Sequence, residues 1–156
     1  MDKIEYSVCN ETYLDIIGPL WEKIKEHHRV KSKYFSERYS QITFNDRKKV
    51  FLEKAKSGAV RIDLAKDLNR DKYVGYCVSS ITGDNEGEID SIYVEADYRR
   101  MGIGDCLMKK TLEWMDTLSV EIRKIVIAVG NEEAISFYER YGFFPLFTTV
   151  MQKSDR

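Results

Sequence analysis

Between Gly87 and Lys110 the chain reads GEIDSIYVEADYRRMGIGDCLMKK, and no other stretch restricts its fold so much. Ile89, Ile92 and Val94 lie in a run rich in β-branched and aromatic residues, the composition of a pleated strand. Arg99 to Gly104 then spells R-x-x-G-x-G. Beyond the turn Ile103, Leu107, Thr111, Trp114 and Leu118 recur at helical spacing, opposite Asp105, Lys109, Glu113 and Asp116. A strand feeding a glycine turn at a helix start leaves unpaired amides at the positive end of the helix dipole, which suits an anion. Gly102 and Gly104 have no side chain to fend off a phosphate, and Arg99 and Arg100 add charge-assisted contacts. Alone, the pattern is equally that of an ordinary helix start with arginines in solvent. Position 107 is Leu where the dinucleotide fingerprint needs glycine, and no G-x-x-x-x-G-K-[ST] occurs.

The rest of the chain supplies the company this turn keeps. Ile4 to Val8 reads as a strand, with Asn10 as the cap of a following helix whose apolar face is Leu14, Ile17, Trp21 and Ile24. Gly18-Pro19 predicts a kink there, or two helices with the proline near the start of the second. The segment from His28 to Phe44 has no clear period; Asn45-Asp46 is expected to cap a helix that Gly58 ends. Ala59 to Ala65 and Tyr73 to Ile81 alternate, with Val60, Ile62 and Leu64 on one face and Arg61 and Asp63 on the other. Together with the strand after Gly83-Asp84-Asn85 they predict an antiparallel meander. The apolar run Ile125 to Val129 predicts a strand buried on both faces and parallel to its neighbour. Asn131 opens a last helix with Ala134, Phe137, Tyr138 and Tyr141 inward, Gly142 stops it, and Phe143 to Lys153 reads as a final strand.

Composition narrows the function classes. A chain of 156 residues, 43% hydrophobic and 33% charged, suits one domain spanning residues 1–156. A net charge of −1 suggests neither a nucleic-acid surface nor an anionic-membrane surface. No apolar run approaches a membrane span, and MDKIEYS does not read as a signal peptide. Cys9, Cys77 and Cys106 are scattered without C-x-x-C, which predicts reduced thiols in a cytoplasmic protein and no zinc framework. Adjacent His27 and His28 cannot both face one metal from a helix, so no metal is expected, and both read as surface residues.

Two motifs taken together are more specific than either alone. Arg99-Arg100-Met101-Gly102-Ile103-Gly104 resembles the R/Q-x-x-G-x-G/A signature of the GNAT superfamily of acyl-CoA-dependent N-acetyltransferases. Asn131, Ala134, Phe137 and Tyr138, followed by Tyr141-Gly142-Phe143, resemble its second signature at the family's spacing. The resemblance covers Gly87–Phe143. It implies an α/β (α+β) fold: a mixed, mostly antiparallel central sheet flanked by helices and splayed between the two core parallel strands. It implies acetyl-CoA as cosubstrate. The backbone of Ile92, Tyr93 and Val94 would bond the pantetheine arm like an added strand. Amides from Arg100 through Met101, Gly102, Ile103 and Gly104 to Asp105, beside Arg99, would hold the pyrophosphate. Asn131 would touch the pantetheine, although it serves equally well as a helix cap.

The same resemblance makes Tyr138 the acid that protonates the departing thiolate, and a tyrosine with ordinary pKa of about 10 is a competent donor to a thiolate of about 8.5. Helical periodicity alone makes Tyr138 one packed aromatic. Glu88 stands where the histone-acetyltransferase branch has its base; with Asp90 it shares strand parity, and a solvated edge carboxylate is the equal alternative. The function implied is transfer of an acetyl group to a primary amine by direct attack in a ternary complex. Alternatives are a non-catalytic acyl-CoA-binding or interaction module, or a generic nucleotide-phosphate binder. The partners expected are an amine-bearing small molecule or a peptide or protein amine, with no nucleic acid and no membrane; a homodimer is compatible. The acidic run Asp84, Glu86, Glu88, Asp90, Glu95 and Asp97 is expected to favour a cationic acceptor if part of it lines the cleft, and Tyr34 and Tyr39 are candidates for the acceptor wall. Only Phe143–Arg156 follows the last helix where many members have two strands, enough for one strand here.

Overall fold

Alternation along the meander sorts the core into two layers, one on each face of a five-stranded sheet. The computed structural model describes residues 3–154. Strand β1 (Ile4–Cys9) leads through a 3-10 segment (Glu11–Ile17) into helix α1 (Gly18–Lys31); α2 (Ser36–Gln41) and α3 (Phe44–Ser57) follow. Next come β2 (Ala59–Asp67), β3 (Lys72–Ile81) and β4 (Glu86–Val94), then α4 (Ile103–Thr117), β5 (Ile122–Ile125) and α5 (Glu133–Glu139). Sheet order is β1-β2-β3-β4-β5, antiparallel throughout except for the parallel β4–β5 pair. This is the mixed, mostly antiparallel sheet that the sequence led one to expect. Among the described residues no helix is long and apolar enough to cross a membrane.

Val60, Ile62 and Leu64 of β2 pack with Leu14, Ile17, Leu20 and Phe51 from the N-terminal helices. On the other face Cys77 and Ile89 meet Leu107, Met108 and Met115 of α4. Asp63, on the polar side of β2, is nevertheless buried, because α4 covers it. Its carboxylate takes a bidentate contact from Arg61 at 2.8 and 2.9 Å and a bond from Thr111 at 3.2 Å. Burial without these donors would be costly for a carboxylate.

Several local boundaries follow from capping chemistry. Asn10 caps the 3-10 segment, and Pro19 stands at the start of α1, where its missing N–H costs nothing. Helix α3 begins less than a turn earlier than Asn45-Asp46 suggested. Thr43 is its cap, and Thr43 and Asp46 bond each other's backbone amides reciprocally in a capping box, at 3.1 and 3.0 Å. The segment after His28 contains the short α2, and α4 buries Met108 and Met115 while Leu118 lies past its end, exposed.

Two strand expectations are overturned. The strand is Ile122–Ile125, not Ile125–Val129, and it is not buried on both faces: Ile122 is 59% exposed, and beyond the strand Val126 and Val129 are 78% and 72% exposed. Past Ile125 the chain leaves β4, so the apolar run loses its pairing partner. Phe143 to Lys153 forms no strand, and Phe144, Leu146, Phe147 and Val150 are exposed. A strand needs a neighbouring ladder, and high β-propensity does not supply one.

Candidate active site

The site is made by a sheet that opens. Strands β4 and β5 pair only from Glu86↔Ile122 to Ile89↔Ile125, whereas β4 stays paired with β3 up to Val94. From Asp90 to Val94 the other edge of β4 therefore has no strand beside it among the described residues. Along Asp90, Ser91 and Ile92 it lines a cleft of about 460 Å³, and Tyr93 and Val94 lie beyond that lining. Asp90, Ser91 and Ile92 form one wall, and Ile127, Asn131 and Tyr138 the other.

A β-bulge sits at the fork. The β3–β4 register passes from Val78↔Ser91 to Ser79↔Ile89, so Asp90 is an extra residue on β4. Its carbonyl receives a bond of 3.0 Å from Arg47 Nη2 of α3, and its carboxylate, fully buried, binds Lys54. Burial nevertheless pushes the Asp90 carboxyl above the usual carboxylate range, against the pull of Lys54 and Ser80. Glu88 also faces Lys54, at 3.4 Å, and has Lys124 at 3.6 Å. The shared parity of Glu88 and Asp90 thus survives the bulge, and both line the cleft.

Tyr138 enters from α5. It is buried, and burial, with a smaller contribution from Cys77, holds its phenol above the ordinary tyrosine value. It therefore carries its proton throughout the neutral range. Asn131 lines the cleft but does not cap α5, since Glu132 occupies that position without a side-chain cap. The Asn131 amide oxygen instead lies 3.3 Å from His27 Nε2 of α1. Gly130 makes that approach possible. Its φ is +102°, and a Cβ there would lie 2.5 Å from the Lys31 carbonyl.

At the end of the open edge lies the glycine turn. Gly102 has φ +80° and caps α4, and a Cβ on it would meet nothing within 4 Å. Arg100 also takes a positive φ, 66°. The amides of Ile103, Gly104 and Asp105 belong to the first turn of the helix, where no carbonyl of the helix is available to them. Open space, free amides and the helix dipole together fit a pyrophosphate. Arg99 Nε bonds the Val94 carbonyl at 3.1 Å and its guanidinium stacks on Tyr93, so it braces strand against turn; Met101 is exposed. A Cβ added at Gly104 would lie 3.5 Å from the Phe137 ring, and Asp105 accepts from Arg140, at 2.7 Å, and from Tyr141. The two sequence motifs are thus joined through α4 and α5.

The structure brings Glu88, Ile92, Asn131 and Tyr138 to one cleft, with the Arg99–Asp105 turn beyond it. Tyr39 lines it as expected, while Tyr34 is exposed, with its ring under Lys33. His27 and His28, read as surface residues, are both half-buried. His28 lines the cleft against Tyr39, ring centroids 5.6 Å apart, and burial, then His27, depresses its pKa. Sequence reasoning also missed Trp21, Ile24, Arg47 and Lys54. The one available signal was spacing: Arg47 and Lys54 stand two helical turns apart on α3 and so share its sheet-facing side.

Comparison with known proteins agrees with this geometry. Residues 21–143 match the family model described as the acetyltransferase (GNAT) family. An uncharacterized N-acetyltransferase of Methanocaldococcus jannaschii is 36% identical over 66 residues, which is 42% of this chain and 29% of that protein. The chain thus spans less than a third of that relative's length. The ribosomal-protein-alanine N-acetyltransferase of Brucella melitensis biovar Abortus 2308 superposes with a TM-score of 0.66 at 14% identity, covering 97% of this chain and 100% of the other. An aminoglycoside acetyltransferase from an uncultured soil metagenomic sample, in complex with trehalose, gives 0.61 at 17% identity, covering 98% and 96%. At such identities the likeness is one of fold.

Proposed function

The chain belongs to the acetyltransferase (GNAT) family, and from that premise we propose that it moves an acetyl group from acetyl-CoA to a primary amine by direct attack in a ternary complex. One observation carries the reading: Glu88 and Tyr138 face a single cleft from opposite sides of the fork, beside an open strand edge that leads to the glycine turn. The turn's amides would take the pyrophosphate, the edge of Ile92, Tyr93 and Val94 would take the pantetheine amides, and Asn131 would contact the arm from the far wall. Bound there, acetyl-CoA supplies the activated acyl group.

The residues then divide the proton work. An alkylammonium with pKa of about 10.4 must lose a proton before it can attack. Glu88 is the proton acceptor in this reading, directly or through a water. Tyr138 is protonated at neutral pH and, in this reading, donates that proton to the thiolate as the thiolate leaves; burial raises its pKa and so makes that donation more uphill than for a free tyrosine. The relatives' names describe acetylation of ribosomal-protein alanine and of aminoglycosides, so the acceptor here is taken to be an amine on a protein or a small molecule.

The test is thiol release from acetyl-CoA across a panel of amines, with mass-spectrometric detection of the acetylated amine. Tyr138→Phe should retain acetyl-CoA binding and lose roughly 100-fold or more in kcat. An unchanged kcat removes Tyr138 from the acid role. Tight acetyl-CoA binding without transfer to any amine would favour a non-catalytic acyl-CoA-binding module.

A further inference from the structure

The charges inside the cleft restrict what kind of amine it accepts. Of the acidic run in the sequence, only Glu88 and Asp90 line the cleft. Neither is a spare negative charge. Asp90 binds Lys54, which also lies near Glu88, and Lys124 reaches Glu88 from β5. Glu95, beyond the bulge, is paired with Lys23. Arg47 adds a cation to the cleft wall, its bond there going to the Asp90 carbonyl, while Lys25 stands on the wall paired with Glu22 at 3.2 Å. The acidic steering expected from the sequence is therefore absent where the acceptor would sit, because lysines from α3 and β5 balance both carboxylates.

The facing wall is apolar and aromatic. Trp21, Ile24 and His28 of α1 stand with Tyr39 of α2 and Ile42. Tyr39 tilts against His28 at 5.6 Å, and Trp21 packs on Phe44 at 5.5 Å. The rings are thus braced from behind. Resting on the amine-acetylation reading above, we infer that the acceptor is a small amine with one positive charge carried on an apolar or aromatic body, and that polycations are poor substrates. A ring or branched alkyl group gains by leaving water for this wall. The further ammonium groups of a polyamine or aminoglycoside would find no unmatched carboxylate among the residues lining the cleft and would meet Arg47 instead.

The experiment compares phenethylamine and isoamylamine with spermidine and kanamycin by acetylated product formed with acetyl-CoA. The apolar amines should exceed the polycations by at least about tenfold in kcat/KM. Tyr39→Ala should lower kcat/KM several-fold more for phenethylamine than for spermidine, whereas Tyr39→Phe, which keeps the ring, should recover most of the phenethylamine loss; thermal melts establish that both variants are folded. Spermidine or kanamycin ahead of the apolar amines would overturn the inference and leave amine acetylation standing. Equal loss for both classes in Tyr39→Ala would also overturn it. A folded, acetyl-CoA-binding protein that acetylates no amine removes both readings together.

Discussion

Lys54 Nζ of α3 binds the fully buried carboxylate of Asp90, the bulged residue of β4, and lies 3.4 Å from the carboxylate of Glu88. One lysine thus fastens a helix to the point where the sheet forks. Removing it would leave a buried carboxylate without its cation. Lys54→Met should cost about 3 kcal/mol in urea unfolding. Lys54→Met combined with Asp90→Leu should recover much of that loss, since the uncompensated charge is then gone.

The glycine turn separates backbone strain from collision. At Gly102 a Cβ would touch nothing, so Gly102→Ala costs only the left-handed φ, about 1 kcal/mol. Acetyl-CoA affinity should fall by more than this stability loss suggests, because the methyl occupies the space assigned to phosphate; isothermal titration measures it. Gly130→Ala adds contact with the Lys31 carbonyl to an unfavourable φ and should be the more destabilising of the two in thermal melts.

Acid sensitivity should track Asp67. The Tyr98 hydroxyl, with amides of Asn69 and Arg70, holds its carboxyl below the usual range. A depressed folded pKa means that the stabilisation is complete above the unfolded value of about 3.9 and disappears as pH falls through the folded one. Asp67→Asn should therefore flatten the decline of stability below about pH 5, read from urea midpoints across that range. Tyr98 directly precedes Arg99, so Tyr98→Phe should also raise the KM for acetyl-CoA.

Cys77 offers an internal reporter of unfolding. Burial pushes its thiol up to about 12, although Thr111 donates to its sulfur. In a Cys9→Ser, Cys106→Ser background, Cys77 should resist Ellman's reagent at about pH 8 in the native state and react promptly in guanidinium chloride.

Much of the site was legible because its parts are local. The strand–turn–helix around Gly102, the inward Tyr138 and the meander each follow from spacing within a few residues, where helix and strand periods act directly. The acceptor wall was not legible. Trp21 reads only as one member of an apolar helix face and Lys54 only as a spacing partner of Arg47, and the places of Trp21 and His28 in the cleft and of Lys54 behind it depend on how α1 and α3 pack across the sheet.

By itself the sequence determined the meander and the helix after it, the anion-ready turn at Arg99–Gly104 and the pairing of that turn with the Asn131–Phe143 segment, but not the short α2 or the absence of a strand after Phe143. Tertiary structure decided where the parallel strands part, the bulge at Asp90, the exposure of Val126 and of the segment after Phe143, and the neutralisation of Glu88 and Asp90 by lysines. The division has a physical reason. Backbone preference and side-chain period are properties of neighbouring residues, whereas strand pairing and charge balance arise between groups that only the packed chain brings within a few ångströms.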